Sequence, residues 1–171
     1  MKINEIFYSL QGEGRRAGEA SIFIRLSGCD LSCLFCDTEF EAGKRMTPSE
    51  LLRTVQQLSN TCKWVVWTGG EPMTQLTEQT VKLFAASGYK QAIETNGNHK
   101  VPFKVDWLTV SPKVAEHVLE RNFPDGVDEL RYPWHRGKIC VPQTKVKATH
   151  YYLSPIFDGN NPILENVKHC I

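Results

Sequence analysis

Residues 20–36 read ASIFIRLSGCDLSCLFC, a short apolar run that ends in a loop of cysteines. Ala20–Leu26 is rich in β-branched and aromatic side chains, the composition of a strand. Directly after it come Cys29, Cys33 and Cys36, a C-x3-C-x2-C spacing. Thiols this close together in a chain long enough to build its own core point to a metal or cluster rather than to disulfides. Three thiolates can wrap one corner of an iron–sulfur cluster and leave one iron without a protein ligand, open to a small molecule. A zinc site, which usually wants a fourth Cys or His, and three unrelated core cysteines are the competing readings. No histidine lies in this loop or beside it.

The rest of the chain alternates in the same way. Thr47-Pro-Ser-Glu50 has the form of a helix start, with Thr47 as N-cap, Pro48 at the first position and Glu50 closing a capping box. The ELLRTVQQL that follows carries apolar residues at helical spacing. Lys63–Trp67 is a short apolar strand ending in Thr68-Gly-Gly-Glu-Pro72, and Thr77–Ser87 reads as a helix stopped by Gly88. Strands are predicted near Gln91–Glu94, Trp107–Val110, Asp128–Tyr132 and Thr149–Leu153, and helices over Val114–Arg121 and Ile163–His169. Pro133–Lys147 is basic and weakly patterned, and reads as a connection. Such alternation predicts an α/β fold with a mostly parallel sheet. A closed eightfold barrel typically needs about 250 residues. The 171 residues here suit a partial, open βα barrel of about six mostly parallel strands, one domain over residues 1–171.

A formal charge of +1 gives no overall field to attract nucleic acid or an anionic membrane. No apolar run approaches a membrane span and the N-terminus lacks the shape of a signal peptide, so a cytoplasmic setting is expected. Cys62, Cys140 and Cys170 stand singly and read as small buried hydrophobes. His99, His117, His135, His150 and His169 match no ligand spacing and are assigned to surface or core.

Thr68–Pro72 falls where a strand ends, which is where barrel-type active sites are built. Paired glycines let the backbone approach a ligand, and Glu71 can accept from a bound ammonium group. Arg25 is a charge in an otherwise apolar strand, either a structural ion pair or a two-pronged hold on a substrate carboxylate. Taken alone, Gln11–Gly14 reads as a polar turn, Thr38 as a cap, and Ser111-Pro112-Lys113 as a strand-to-helix corner.

Together the cysteine loop and Gly-Gly-Glu-Pro resemble the radical SAM superfamily. In that superfamily the methionyl amine and carboxylate of S-adenosylmethionine (SAM) chelate a four-iron cluster, and reductive cleavage yields a 5′-deoxyadenosyl radical. A narrower resemblance rests on Phe7–Gly14 (FYSLQGEG), Ile22–Cys29, Cys36-Asp37-Thr38, Thr68–Pro72, Glu94-Thr95-Asn96-Gly97 and Ser111-Pro112-Lys113. In that order they are similar to the 7-carboxy-7-deazaguanine synthase family, and Cys-Asp-Thr after the cluster loop separates it from radical SAM activases.

The resemblance implies a lyase that contracts 6-carboxy-5,6,7,8-tetrahydropterin to 7-carboxy-7-deazaguanine with loss of ammonia, feeding queuosine-type deazapurines. It implies a [4Fe–4S] cluster on Cys29, Cys33 and Cys36 and magnesium at Thr38. It implies pterin contacts from Leu10, Gln11, Gly12, Arg25 and Thr68, and SAM contacts from Gly70, Glu71, Ser111, Pro112, Lys113, Ser154 and Pro155. A reductant such as flavodoxin and a homodimer also follow, with no nucleic-acid or membrane partner. Beside the family the chain looks short after Leu130, so its pocket is expected to be closed in another way, for example by a second subunit. Two other readings stand beside this one: an activase that places a glycyl radical on a partner protein, and a non-enzymatic Fe–S or electron-transfer module.

Overall fold

Side-chain parity along the strands organises the molecule. β1 (Lys2–Leu10) and β2 (Ala20–Leu26) pair antiparallel, and β3 (Lys44–Arg45) adds to the outer edge of β1. β4 (Trp64–Gly69), β5 (Lys90–Thr95), β6 (Trp107–Val110), β7 (Val127–Trp134) and β8 (Ala148–Pro155) then follow in parallel from β2. The order is β3-β1-β2-β4-β5-β6-β7-β8, an open sheet in which β3 and β8 are the two edges. The expected six-stranded open barrel is its parallel part, and β1 and β3 extend it by antiparallel pairing. This computed structural model describes residues 1–34, 36, 42–137, 143–158 and 161–171. Thr38 and Cys140 lie outside the described residues.

Because successive strand residues point to opposite faces, each strand divides into two sets. Ile22, Ile24, Val65, Trp67 and Ile93 face the helices and bury against Leu51 and Val55 of α1 (Pro48–Leu58) and Val81 and Phe84 of α2 (Glu78–Ala86). Val110, Leu130 and Tyr132 do the same with Leu119 of α3 (Glu116–Asn122). The alternate residues Phe23, Val66 and Ala92 form a smaller cluster on the other face with Phe7, Trp64 and Trp107. α4 (Leu164–Cys170) packs beside β8.

Local signals behave as their chemistry dictates. The α1 capping box is complete: Glu50 N–H donates to Thr47 Oγ1 and Thr47 N–H donates to Glu50 Oε2. Most boundaries shift by one or two residues, and two of the shifts bear on the site. α3 starts at Glu116, two residues later than expected, because the corner after β6 keeps Ala115 extended and ties Lys113 N–H to the Asn96 carbonyl. β7 runs on to Trp134, into the segment read as a connection. β6 pairs with β7 only as far as Leu130, so Pro133 needs no donor on that side and pairs with Ser154 on the other. Cys62 is buried, as a small hydrophobe, and Cys170 is half-buried.

Candidate active site

On the face that carries Phe23, Val66 and Ala92, the next residues toward the C-terminal strand ends are Arg25, Thr68 and Glu94. The apolar floor therefore gives way to a polar rim by parity alone. There a cavity of about 500 Å³ opens, lined by this rim, the cysteine loop, the β1–β2 loop and the ends of β6, β7 and β8. Such a position, outside the C-terminal ends of parallel strands, is where this class of sheet assembles its sites. Leu10, Gln11, Gly12, Arg25, Cys29, Cys33, Cys36, Thr68, Gly70, Ser111, Lys113, Ser154 and Pro155 all line it. Residues 145 positions apart in sequence thus share one space.

The cysteine loop is set against the sheet by the glycine pair. Past the paired strands β2 and β4, Gly70 N–H donates to the Leu26 carbonyl and Glu71 N–H to the Gly28 carbonyl. A Cβ on Gly70 would stand 1.7 Å from the Gly28 oxygen, so only glycine permits this approach. Cys36 N–H donates to the Cys33 carbonyl, which folds the loop back on itself. Asp30, beside Cys29, accepts from the Asn96 and Asn98 amides and meets His99 Nε2 at 2.8 Å. Burial pushes the Cys29 thiol up, helped by the Asp30 and Glu71 carboxylates, and burial likewise raises Cys33 against the pull of Lys113.

Two residues assigned from sequence to the SAM contacts do not reach the cavity. Glu71 is fully buried, and its carboxylate accepts from Met73 N–H, Asn96 N–H and the Thr95 hydroxyl. It ties the end of β4 to the end of β5 instead of presenting an acceptor to a ligand. Pro112 is buried behind Ser111 and Lys113, which themselves stand at the rim.

Arg25 lies against the Phe7 ring and 3.7 Å from Glu5, a loose ion pair. Its Nε is buried and has no hydrogen-bond acceptor among the described residues. Gln11 is buried and committed: its Nε2 donates to Glu94 Oε1, and its Oε1 accepts from Gly12 and Glu13 N–H. Thr68 Oγ1 approaches Glu94 Oε2 at 3.4 Å.

Sequence reasoning named no role for Glu13, Glu94, Glu129 and Arg131, yet Glu13, Glu94 and Arg131 line the cavity and Glu129 is buried beneath them. Arg131 binds Glu129 Oε1 at 2.6 Å and Glu13 Oε2 at 2.7 Å, with Glu94 Oε1 3.6 Å away. Burial works against its charge, but the carboxylates of Glu94, Glu13 and Glu129 together hold the guanidinium above its ordinary value. The available signal was a Glu-x-Arg pair inside a strand, charges on alternate positions and so on one face.

This open, mostly parallel sheet, with a loop of three cysteines at its strand ends, is of the radical SAM superfamily, whose family model matches residues 23–124. The chain is 37% identical over 163 residues to the 7-carboxy-7-deazaguanine synthase of Bacteroides thetaiotaomicron, covering 95% of this chain and 85% of that protein. It is 37% identical over 171 residues to the enzyme of that name from Haemophilus influenzae, covering 96% and 80%. The crystal structure of QueE from Escherichia coli aligns with a TM-score of 0.73 at 27% identity, covering 99% of this chain and 87% of that one. The chain belongs to the 7-carboxy-7-deazaguanine synthase family.

A four-iron cluster and SAM come with that membership, and the residues present fit them. Three thiols open into one cavity, and a cationic cluster would draw off the protons that burial holds on Cys29 and Cys33. The close approach at Gly70 leaves backbone facing the space beside the cluster loop. Among the described residues no three His, Cys, Asp or Glu side chains converge on a single ion. A cluster takes one thiolate on each of three irons, so its ligands need not converge. None of the described helices is long and apolar enough to cross a membrane.

Proposed function

We propose that this chain contracts 6-carboxy-5,6,7,8-tetrahydropterin to 7-carboxy-7-deazaguanine with release of ammonia. The observation that carries this reading is the shared cavity: the three loop thiols open into the same space as Arg25, whose Nε has no hydrogen-bond acceptor among the described residues. A substrate carboxylate is the acceptor that fits, since a planar guanidinium binds it at two points. When bound, the cluster and SAM supply a 5′-deoxyadenosyl radical for hydrogen abstraction. Gly70, Ser111, Lys113, Ser154 and Pro155 then form the SAM side of the cavity, and Leu10, Gln11, Gly12, Arg25 and Thr68 the pterin side. Phe7 and Phe23 give the pterin ring an apolar wall and keep water from it. Magnesium at Thr38 is part of this reading and would neutralise the same carboxylate.

The reading extends to a reductant such as flavodoxin, a homodimer and a cytoplasmic setting. The free thiols of Cys29, Cys33, Cys36, Cys62 and Cys170 suit a reducing compartment. A bare electron-transfer module has no need of a 500 Å³ cavity beside its cluster loop.

The test is anaerobic reconstitution followed by incubation with reductant, SAM, magnesium and the carboxypterin, read by mass spectrometry. Conversion to a product lighter by one ammonia is expected, with about four iron per chain. Cys29→Ala, Cys33→Ala and Cys36→Ala should each abolish iron loading, while Cys62→Ser and Cys170→Ser keep it. SAM cleavage without any pterin product would refute the substrate assignment and leave the radical chemistry standing.

A further inference from the structure

The β1–β2 loop begins on one side of the open sheet and ends its reach on the other. Its own backbone bonds, Gln11 N–H to Glu19 O and Gly18 N–H to Gln11 O at its base and Ala17 N–H to Gly14 O and Glu19 N–H to Arg16 O in its turns, all stay within the loop. What spans the cavity is ionic. Arg131 on β7 is 6% exposed, and its Nη1 donates to Glu13 Oε2 at 2.7 Å while Nε and Nη2 donate to Glu129 Oε1. The other Glu129 oxygen accepts from Arg15 N–H at 2.9 Å, and Ser154 on β8 donates to Glu13 Oε1 at 2.5 Å. Gly14 packs so tightly on Glu129 that a Cβ there would lie 2.2 Å from its carboxylate oxygen. On the cavity side, Glu94 on β5 takes the Gln11 amide. One guanidinium thus stands among three carboxylates drawn from the loop, β5 and β7.

We infer that Arg131 is a positioning residue, the anchor of a strap formed by Glu13, Glu94 and Glu129 that holds Gln11 and Gly12 over the cavity. This inference rests on the proposed pterin reading for what those two residues meet. Arg131 lines the cavity but is 6% exposed, with its guanidinium taken up by Glu13 and Glu129, so it acts through the loop that it holds. A single buried cation shared by three carboxylates resists substitution, because removing it leaves Glu129, 1% exposed, without its counter-charge. Glu13 is half-exposed and can be removed without that cost.

The experiment compares wild type, Arg131→Met and Glu13→Ala as iron-loaded proteins. Amide hydrogen exchange over residues 11–19 is measured without substrate, and affinities for the carboxypterin and for SAM are measured separately. Loss of a charge-assisted contact predicts exchange faster by about tenfold or more in this segment, and pterin affinity weakened by about ten- to a hundredfold. SAM affinity and iron content should stay within about twofold of wild type. If Arg131→Met does not fold, Glu13→Ala carries the same readouts. Unchanged exchange in the loop overturns the strap, and a loosened loop with unchanged pterin affinity overturns the positioning role. Equal losses of SAM, iron and pterin binding also overturn it, since that is what a merely structural residue would cause. A wild type that binds no carboxypterin refutes the substrate reading alone, and the exchange rates then decide the strap.

Discussion

Glu71 carries a carboxylate into a place that water does not reach, and this gives it a pH signature. Burial pushes its carboxyl above the ordinary 4.5, against the pull of the Asn96 and Met73 amides and the Thr95 hydroxyl. A raised value means that the folded chain holds this proton more tightly than the unfolded one. Its contribution to stability is therefore full below the ordinary value and is lost as pH rises through the raised one. Glu71→Gln does not titrate and removes that slope. Urea unfolding of both forms from about pH 4 to about pH 7 should show wild type losing ground to the variant as pH rises. Parallel curves would dismiss the effect. The glycine–glycine–glutamate motif was legible as a strand-end feature, but the direction of the glutamate was not. An acceptor beside two glycines suits a ligand or a neighbouring strand equally well, and only the nearby Thr95 and Asn96 donors choose between them.

Elements were the easiest scale to read, because caps and periodicities are local. Thr47 and Glu50 are three residues apart and announce α1 without help from the rest of the chain. The two-residue β3 has no such signal and exists because β1 offers it an edge. At the β2–β4 junction, two parallel strands continue their pairing into two loops, and Gly70 allows it. Gly70→Ala puts a methyl against the Gly28 carbonyl at 1.7 Å, a backbone atom that cannot rotate away. The turn must open, and the cysteine loop moves with it. SAM affinity should fall by about tenfold or more, with reduced iron loading, while far-UV circular dichroism stays that of the wild type. Gly12→Ala, where a Cβ meets nothing within 4 Å, is the control and should load iron normally.

At the scale of the whole molecule the sheet is continuous from β3 to β8, with helices over one face and the cavity on the other. No seam divides it among the described residues, which supports a single unfolding unit. Trp64 and Trp67 on β4, Trp107 on β6 and Trp134 on β7 report from across the sheet. Their fluorescence and far-UV circular dichroism should follow one coincident urea transition, and two separated midpoints would show that the chain unfolds in parts. The amino-acid order determined by itself the cysteine loop, the caps and the alternation of strands and helices. Each depends on neighbours within a few residues, where spacing is set by bond geometry. It also determined the polar rim in outline, since parity sends Arg25, Thr68 and Glu94 to the same face as Phe23, Val66 and Ala92. Only the tertiary structure decided how those charges pair. Glu13 and Arg131 are separated by 118 residues, and they meet because the β1–β2 loop crosses the open sheet. Burial and Coulomb attraction act through space, so which carboxylate finds which cation is settled by how strand order and the β1–β2 loop place them and not by position in the chain.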